Sequence, residues 1–251
     1  MKAFLVLLLF IVGVSPTQDA NITTLFEQGN QAYNNADYLE AISAYKSILE
    51  QGQHSSALYF NLANCYYKNN QVAESIYYYE KALLLNPEDQ EIQHNAAFAK
   101  NMTLDSIEVL PKTALSQLKS RIMKWLTVDQ WGGVFLVFTW LGVGFFSWYL
   151  WSTRPFTKRL TLLMSILIMG LSSSLFILTN ERLNVQQQTK FGIIFNTQVE
   201  ILNAPNERGE MQFLLHEGTK VEVLDELQDW QKIRIANGAE GWVKGAKIRL
   251  L

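Results

Sequence analysis

The sequence is short of the residues from which covalent cross-links and most catalytic or metal centres are built. Its 251 residues include a single cysteine, Cys65, and only three histidines. One cysteine cannot form an intramolecular disulfide, and no histidine has a second histidine or a cysteine at metal-ligand spacing. The sequence also has no nucleophile elbow, P-loop or dinucleotide-binding glycine motif. We therefore expect no catalytic residue, no metal site and no cofactor, and we predict that the protein is not an enzyme.

Charged residues are scarce as well. They make up 18% of the chain, whereas about a quarter is usual for a soluble domain. The formal net charge of −2 hides three unlike regions. Residues 18–110 carry 4 basic against 12 acidic side chains, residues 111–160 carry 7 against 1, and residues 180–251 carry 9 against 10. This division argues against a nucleic-acid binder dominated by positive charge and predicts separate domains in separate environments.

Long apolar runs are what the chain has instead. An apolar stretch from residue 3 to residue 14 follows Lys2, which is typical of a signal peptide; we assign it to residues 1–20, with a retained hydrophobic tail as the alternative. Residues 132–151 and 160–179 each run twenty residues without a charge and are predicted to be two transmembrane helices. Their connecting loop, residues 152–159, contains three basic residues, which favours the cytoplasm, whereas Lys119, Arg121 and Lys124 before the first span favour the opposite orientation. Export of the N-terminus decides for a cytoplasmic loop and places both soluble regions on the other side of the membrane.

A basic segment precedes the first predicted span. Within residues 111–127, apolar side chains recur at spacings of three and four, with lysine and arginine between them: Leu115, Leu118, Ile122 and Trp125. This pattern predicts an amphipathic helix lying on the surface of a lipid bilayer. A solvated linker helix is the alternative.

The acidic region contains an internal repeat. Residues 25–49 align with residues 59–83 at an offset of 34, with eight identical pairs: Phe26/Phe60, Asn30/Asn64, Tyr33/Tyr67, Asn35/Asn69, Glu40/Glu74, Ile42/Ile76, Tyr45/Tyr79 and Leu49/Leu83. The period and pattern resemble the tetratricopeptide repeat, which implies an α-helical solenoid. We assign residues 21–104 to it, with repeats over 25–58 and 59–89 and a capping helix over 90–104. Because about three units normally make a stable array, further support from a membrane-proximal segment or a partner chain is expected.

This resemblance implies a concave groove lined by the first helix of each repeat. Peptide-binding members of the family hydrogen-bond the ligand backbone with an asparagine at the position of Asn30 and Asn64. The predicted peptide-binding residues are Asn30, Tyr33, Asn34, Asn64, Tyr67 and Lys68. The charged position that clamps a terminal carboxylate in some relatives is Phe26 or Phe60 here, so an aromatic groove for an extended or helical segment fits better. These two phenylalanines could equally pack the interior of the stack.

Residues 190–251 show short alternating strands and a tight-turn pair, Asn237-Gly238, which predict a small all-β barrel. The order of glycines, valines and tryptophans from residue 217 to residue 243 resembles the bacterial SH3 domain. Such domains bind extended peptides or cell-wall peptides against aromatic side chains. Trp230 and Trp242 are the predicted groove residues, with a place in the barrel core as the alternative. His216 is expected to be an ordinary surface histidine.

The order of these parts resembles the BatE-like family of the Bacteroides aerotolerance (Bat) system. The resemblance implies a bacterial inner-membrane protein with two spans and both soluble domains in the periplasm. It further implies partners among other membrane or periplasmic proteins, including Bat-type proteins with von Willebrand A domains, and a role in stress or oxygen tolerance. We expect a membrane-anchored adaptor. The alternative is a cell-wall module whose SH3-like domain binds peptidoglycan while the repeats recruit a wall enzyme.

Overall fold

A computed structural model describes residues 16–108, 110, 113–123, 125–126, 128–188 and 190–251. Within these residues, the first five helices are α1 Pro16–Asn34, α2 Tyr38–Glu50, α3 Ser56–Lys68, α4 Val72–Leu85 and α5 Gln90–Lys100. They are followed by α6 Ala114–Met123, α7 Val128–Trp151 and α8 Pro155–Gln188. The described residues from 190 onward form seven strands: β1 Lys190–Ile194, β2 Gln198–Leu202, β3 Met211–His216, β4 Lys220–Leu227, β5 Trp230–Arg234, β6 Glu240–Lys244 and β7 Ile248–Leu250.

Helices α1–α4 form two antiparallel hairpins that repeat each other in detail. Each first helix ends before a residue of positive φ, Ala36 in one repeat and Asn70 in the other, 34 residues apart. Gly29 allows α1 and α2 to approach closely, since a Cβ at this position would lie 2.5 to 2.9 Å from ring atoms of Tyr45. In the second repeat, Ser75 Oγ donates to the carbonyl of Ala63 at 3.1 Å instead. The small residues at equivalent positions therefore hold both hairpins together.

Polar caps define the ends of α3 and α5. The hydroxyl of Ser55 accepts a hydrogen bond from the backbone N–H of Leu58, and the Asp89 carboxylate accepts from the backbone N–H groups of Glu91 and Ile92. Each cap satisfies donors that have no partner within the first turn of the helix. The helix α5 lies against α4, as expected for a capping helix, and ends at Lys100.

Helices α7 and α8 pack against each other as an antiparallel hairpin. The segments Gln130–Trp151 and Pro155–Asn180 are long and apolar enough to cross a membrane. Most of their large apolar side chains face outward, with Trp140 72% and Ile166 61% exposed. Between the helices, Ser165 Oγ donates to the carbonyl of Gly142 at 3.1 Å. Outward apolar and inward hydroxyl groups are the reverse of a water-soluble helix pair and fit a lipid environment.

The hairpin differs in detail from the sequence-based expectation. A loop was expected over residues 152–159, but α8 begins at Pro155. Proline is favoured in the first turn because its missing N–H has no helical partner there. The segment expected over 111–127 contains a shorter helix, α6, on which Leu118 and Ile122 are exposed, as is Trp125 beyond its end. The predicted signal peptide falls mostly on residues outside the described ranges.

The C-terminal region is all-β but is not the barrel that the sequence predicts. Its antiparallel sheet has the strand order β3-β2-β6-β5-β4-β1-β7, with β3 and β7 at opposite edges. The strands β2 and β6 pair through one residue position, Leu202 with Trp242. The core is apolar and lies on one side of these strands; it includes Ile194, Val199, Ile201, Leu215, Val221, Ile233 and Val243. The sheet stays open because its two edge strands do not pair with each other. We refer to residues 190–251 as the β domain.

The β domain lies against the second repeat. Ile193 on β1 is fully buried and belongs to the same hydrophobic cluster as Ile76 of α4 and Ile92 of α5. Strand β1 packs directly on α4. Residues that flank the α7–α8 hairpin on its two sides in the sequence therefore meet in space.

Candidate functional site

The first helices of the repeats and α5 line an open groove with two adjoining cavities of about 310 and 370 Å³. The smaller cavity is lined by Asn30, Tyr33, Asn34, Tyr45, Asn61 and Asn64. The larger is lined by Tyr33, Asn64, Tyr67, Lys68, Tyr79, Glu91, Asn95 and Phe98. All six residues predicted for peptide binding lie on this surface, which we call the repeat groove.

The asparagines at the centre of the repeat groove are fixed by a repeating set of hydrogen bonds. Asn30 Oδ1 accepts from the Tyr45 hydroxyl at 2.7 Å and from Asn61 Nδ2 at 3.2 Å. One repeat later, Asn64 Oδ1 accepts from the Tyr79 hydroxyl and from Asn95 Nδ2, the latter at 3.3 Å. Both acceptor lone pairs of each amide oxygen are thereby used within the stack.

The amide nitrogens of these asparagines remain available. Among the residues that the structure describes, Asn30 Nδ2 and Asn64 Nδ2 donate to no protein atom, and both side chains are half-buried beside the cavities. With their oxygens occupied, the two amides can offer donors to a bound molecule but no acceptors. The groove is thus suited to the carbonyl or carboxylate oxygens of a partner.

Burial reinforces the protonated state of the tyrosines beneath the groove. Desolvation raises the pKa of Tyr45 and Tyr79 well above the ordinary value for a phenol. Both hydroxyls therefore stay protonated and keep donating to the asparagines across the physiological pH range. Burial likewise raises the pKa of the Cys65 thiol to about 12, so this cysteine packs as a small apolar residue rather than as a thiolate nucleophile.

The phenylalanines take the packing role that was left open by the sequence. Phe26 contacts the Tyr45 ring, with ring centroids 5.7 Å apart, and Phe60 lies 6.1 Å from the Tyr79 ring. Neither lines the two cavities. Phe98 on α5 does, and it is half exposed and in edge contact with His94. Phe98 therefore joins the tyrosines that line the two cavities as the aromatic part of the repeat groove.

Asn61 and Asn95 also line the repeat groove, although neither was predicted. They are 34 residues apart, as are Asn30 and Asn64, and each donates to the asparagine of the preceding repeat. The same period would have identified the pair if the alignment had been extended from the second repeat into α5. The hydrogen bond itself spans 31 residues and has no signature of its own in the sequence.

The two tryptophans of the β domain share one face of the sheet. In the β5–β6 pairing, Trp230 stands opposite Lys244 and Trp242 stands opposite Lys232. Buried Ile233 and Val243 alternate with them, so both tryptophans lie on the face away from the core. Trp230 lines a cavity of about 530 Å³ with acidic and basic residues around it, whereas Trp242 does not line it. Lys244 Nζ lies 5.8 Å from the Trp230 ring and 2.6 Å from Glu207 Oε1.

Comparisons with known proteins match one segment on each side of the α7–α8 hairpin. Residues 56–89 match the tetratricopeptide repeat, and residues 197–248 match the bacterial SH3 domain. Over 86 residues, 34% of its length, the chain is 34% identical to sperm-associated antigen 1 of Mus musculus. That stretch is 10% of the mouse protein, so the chain spans about a tenth of the length of this relative.

The domain content predicted from the sequence is confirmed by these matches. The chain carries a tetratricopeptide repeat and a bacterial SH3 domain, both of which are typical of proteins that bind other proteins. The matched repeat is the second one, α3 and α4. Its structural copy, α1 and α2, supplies the other half of the repeat groove.

Proposed function

We propose that the protein is a non-enzymatic, membrane-anchored adaptor that holds an extended partner segment in its repeat groove. The observation that carries this proposal is the pair of asparagines with saturated oxygens and free amide nitrogens, set between exposed aromatic and charged side chains. A partner backbone in extended form presents carbonyl oxygens at regular intervals, which complements donors repeated once per repeat. Tyr67 and Phe98 would then contact the side chains of the segment.

The membrane anchor in this proposal is the α7–α8 hairpin. Its length and its outward apolar side chains support two spans, and the basic residues between the spans support a cytoplasmic connection. In this arrangement both soluble domains lie in the periplasm of a bacterial cell. The resemblance to the BatE-like family supports partners of the Bat type, among them membrane proteins with von Willebrand A domains. Holding two binding modules on one anchor raises the effective concentration of one ligand near the other.

The test of the groove uses a substitution that separates binding from stability. In the double variant Asn30→Asp/Asn64→Asp, the oxygens that accept from Tyr45 and Tyr79 remain, whereas the amide donors are lost. A photoreactive phenylalanine at position 67 of the full chain would be cross-linked in the native membrane and its adducts quantified. We expect the double variant to lose at least nine-tenths of a discrete adduct. The exposed Gln28→Ala variant, outside the groove, should lose none of it.

Two results would count against the groove. One is an unchanged amount of adduct in the double aspartate variant, and the other is an equal loss of adduct in the Gln28→Ala control.

Topology is tested separately, by alkaline phosphatase fusions at Asn101, Thr157 and Leu251. Activity at the first and last positions alone is expected, while activity at Thr157 alone would overturn the proposed orientation.

A second candidate function concerns the β domain. The match of residues 197–248 to the bacterial SH3 domain, together with the cavity beside Trp230, favours binding of cell-wall peptides. Purified sacculi would be sedimented with the detergent-solubilised full chain. Cell-wall binding predicts co-sedimentation that is lost in Trp230→Ala and retained in Trp242→Ala, since Trp242 does not line the cavity. If the β domain binds only other proteins, as in the adaptor proposal, the chain should not co-sediment with the sacculi.

A further inference from the structure

The β domain contacts the repeats through an extensive surface centred on Glu80 and Asp105, which we call the junction. Glu80 on α4 is 6% exposed, and its carboxylate lies between two ammonium groups. Lys100 Nζ, from α5, is 2.7 Å from Oε1, and Lys220 Nζ, from β4, is 2.6 Å from Oε2. A buried carboxylate is strongly destabilising without a partner, so the β domain supplies half of what this residue needs.

A second polar contact lies beside the first. Asp105, in the segment after α5, accepts a hydrogen bond from the backbone N–H of His216 at 2.7 Å and from Thr219 Oγ1 at 2.5 Å. His216 Nδ1 is 2.6 Å from the other carboxylate oxygen. The expectation of an ordinary surface histidine is therefore wrong, because His216 is tied to a residue 111 positions earlier in the chain.

Apolar contacts surround both polar groups. Ile193 is fully buried in the cluster formed by α3, α4 and α5, and the Phe195 ring makes an edge contact with Tyr77. Arg249 lies over both of these rings, 3.9 Å from the centroid of Phe195. Gly218 touches the repeats so closely that a Cβ would lie 2.9 Å from Ile76 Cδ1. Such interdigitation matches the interior of a domain rather than a mobile linker contact.

The position of the β domain explains why two repeats are enough. A third unit begins with α5, but the next helix in the described residues, α6, is not packed against it as the second helix of a repeat would be; instead the chain continues along the β domain. There Ile107 packs into the β-domain core and the backbone N–H of Leu110 donates to the carbonyl of Ala236. Strand β1 packs on α4, and its Ile193 shares one hydrophobic cluster with Ile92 of α5, so β1 covers apolar surface at the end of the stack.

We propose that the β domain is the closing unit of the repeat stack, so that the segments before and after the α7–α8 hairpin form one rigid body on one side of the membrane. The docking rests on the contacts above, and only its placement relative to the membrane rests on the proposed anchor. In this body the repeat groove and the β5–β6 face with Trp230 stay uncovered, while the docked surface of the β domain is closed to other partners.

The test breaks the covalent link and asks whether the domains stay together. A protease site is inserted after Gln188 of the detergent-solubilised full chain, which carries a C-terminal tag. After cleavage, we expect the tagged β domain to retain the repeat-containing fragment through size exclusion. Lys220→Glu and, separately, Asp105→Ala should reduce the retained fraction at least tenfold. Lys232→Glu, which makes the same charge change at an ion pair within the β domain, should leave it unchanged.

Each outcome bears on the proposal. Release of the wild-type β domain would overturn it, and so would full retention in both junction variants. The Asp105→Ala variant leaves the β-domain sequence intact, so release there cannot be assigned to an unfolded β domain. To test for docking between chains, membranes that carry two differently tagged copies of the chain are mixed before solubilisation. If the β domain retained only the repeat-containing fragment of another copy, docking within one chain would be overturned. The Asn30→Asp/Asn64→Asp variant should retain the β domain fully, which separates this proposal from the groove.

Discussion

The junction and the repeat groove both contain polar side chains of the same repeat stack, yet they differ in whether the chain itself supplies all the partners of those side chains. At the junction, Glu80 and Asp105 are enclosed, and every contact they make comes from the chain itself. In the groove, the oxygens of Asn30 and Asn64 are satisfied internally while their nitrogens face open space. Polar groups that the chain completes are part of its architecture, and polar groups that it leaves half-complete are available to another molecule.

The largest change in unfolding free energy is expected from removing a cation at the junction. In Lys220→Met, Glu80 keeps Lys100 but loses its closest ammonium, and the carboxylate remains largely buried. Breaking a buried pair from one side costs about 3 to 5 kcal/mol; with one partner left we expect about 2 to 3 kcal/mol less unfolding free energy, measured by denaturant titration in detergent. In the control variant Lys232→Met, on the face of the sheet away from the core, the unfolding free energy should change by less than about 0.5 kcal/mol. Equal effects at both lysines would show that the junction is no more than a surface contact.

The next largest effect concerns the floor of the groove. In Gly29→Ala, the new methyl group would approach the Tyr45 ring to within 2.5 to 2.9 Å, and the ring must move. Overpacking of this kind costs about 1 to 3 kcal/mol, and movement of Tyr45 also displaces the Asn30 side chain that its hydroxyl holds. We expect both a lower melting temperature and weaker cross-linking at position 67. Gly133→Ala is the control, since no atom lies within 4 Å of a Cβ there; a matching loss of stability in this variant would contradict the packing argument.

Acid should weaken the junction more than the groove. Burial would raise the pKa of Glu80, but the ammonium groups of Lys220 and Lys100 outweigh it and hold the pKa below its ordinary value. For Asp105, hydrogen bonds from His216 and Thr219 outweigh burial and likewise lower the pKa. A lowered folded-state pKa contributes stability that is present above the unfolded-state pKa and lost as the pH falls through the folded-state value.

The unfolding free energy should therefore fall as the pH drops below about 4, by at most about 1.4 kcal/mol per pH unit for each of the two carboxylates. The measurement is a series of denaturant titrations from neutral to acidic pH. In Glu80→Gln/Asp105→Asn the stability at neutral pH is lower and its dependence on pH is flatter. An equally steep dependence in this variant would assign the acid sensitivity to other groups.

The contrast between the two surfaces also explains what the sequence could predict. The 34-residue period indicated the repeat, and the resemblance to the tetratricopeptide repeat implied the groove positions; the residues predicted there, Asn30 and Asn64 among them, line the two cavities. The domain types were likewise predicted, since each has a local pattern of turns and apolar residues. Trp230 and Trp242, predicted as the groove residues of the SH3-like domain, lie on the same face of the sheet, but the cavity there is lined by Trp230 and not by Trp242.

The junction could not be predicted by the same means. Asp105 and His216 are 111 positions apart, and each looks like an ordinary polar residue in its own segment. The open sheet was missed for a related reason: strand spacing indicates how many strands form but not which strands become the edges, here β3 and β7, or whether those edges pair. Pairing of distant segments is decided by tertiary packing, here by the way β1 covers α4, and a single sequence carries no periodic signal for it.

The smallest change in stability is expected at Asn64, where two variants separate its role as an acceptor within the stack from its role as a donor to a bound segment. In Asn64→Ala, the hydroxyl of Tyr79 and the amide of Asn95 lose their acceptor, which should lower the unfolding free energy by about 1 kcal/mol. Asn64→Asp keeps that acceptor, because a carboxylate oxygen takes the place of Oδ1, and should change the stability by less than half as much. Both variants remove the amide donor, so cross-linking at position 67 should fall equally in the two. If the aspartate variant restored cross-linking along with stability, Asn64 would act only as a support for Tyr79, and the groove would have to bind through its aromatic residues alone.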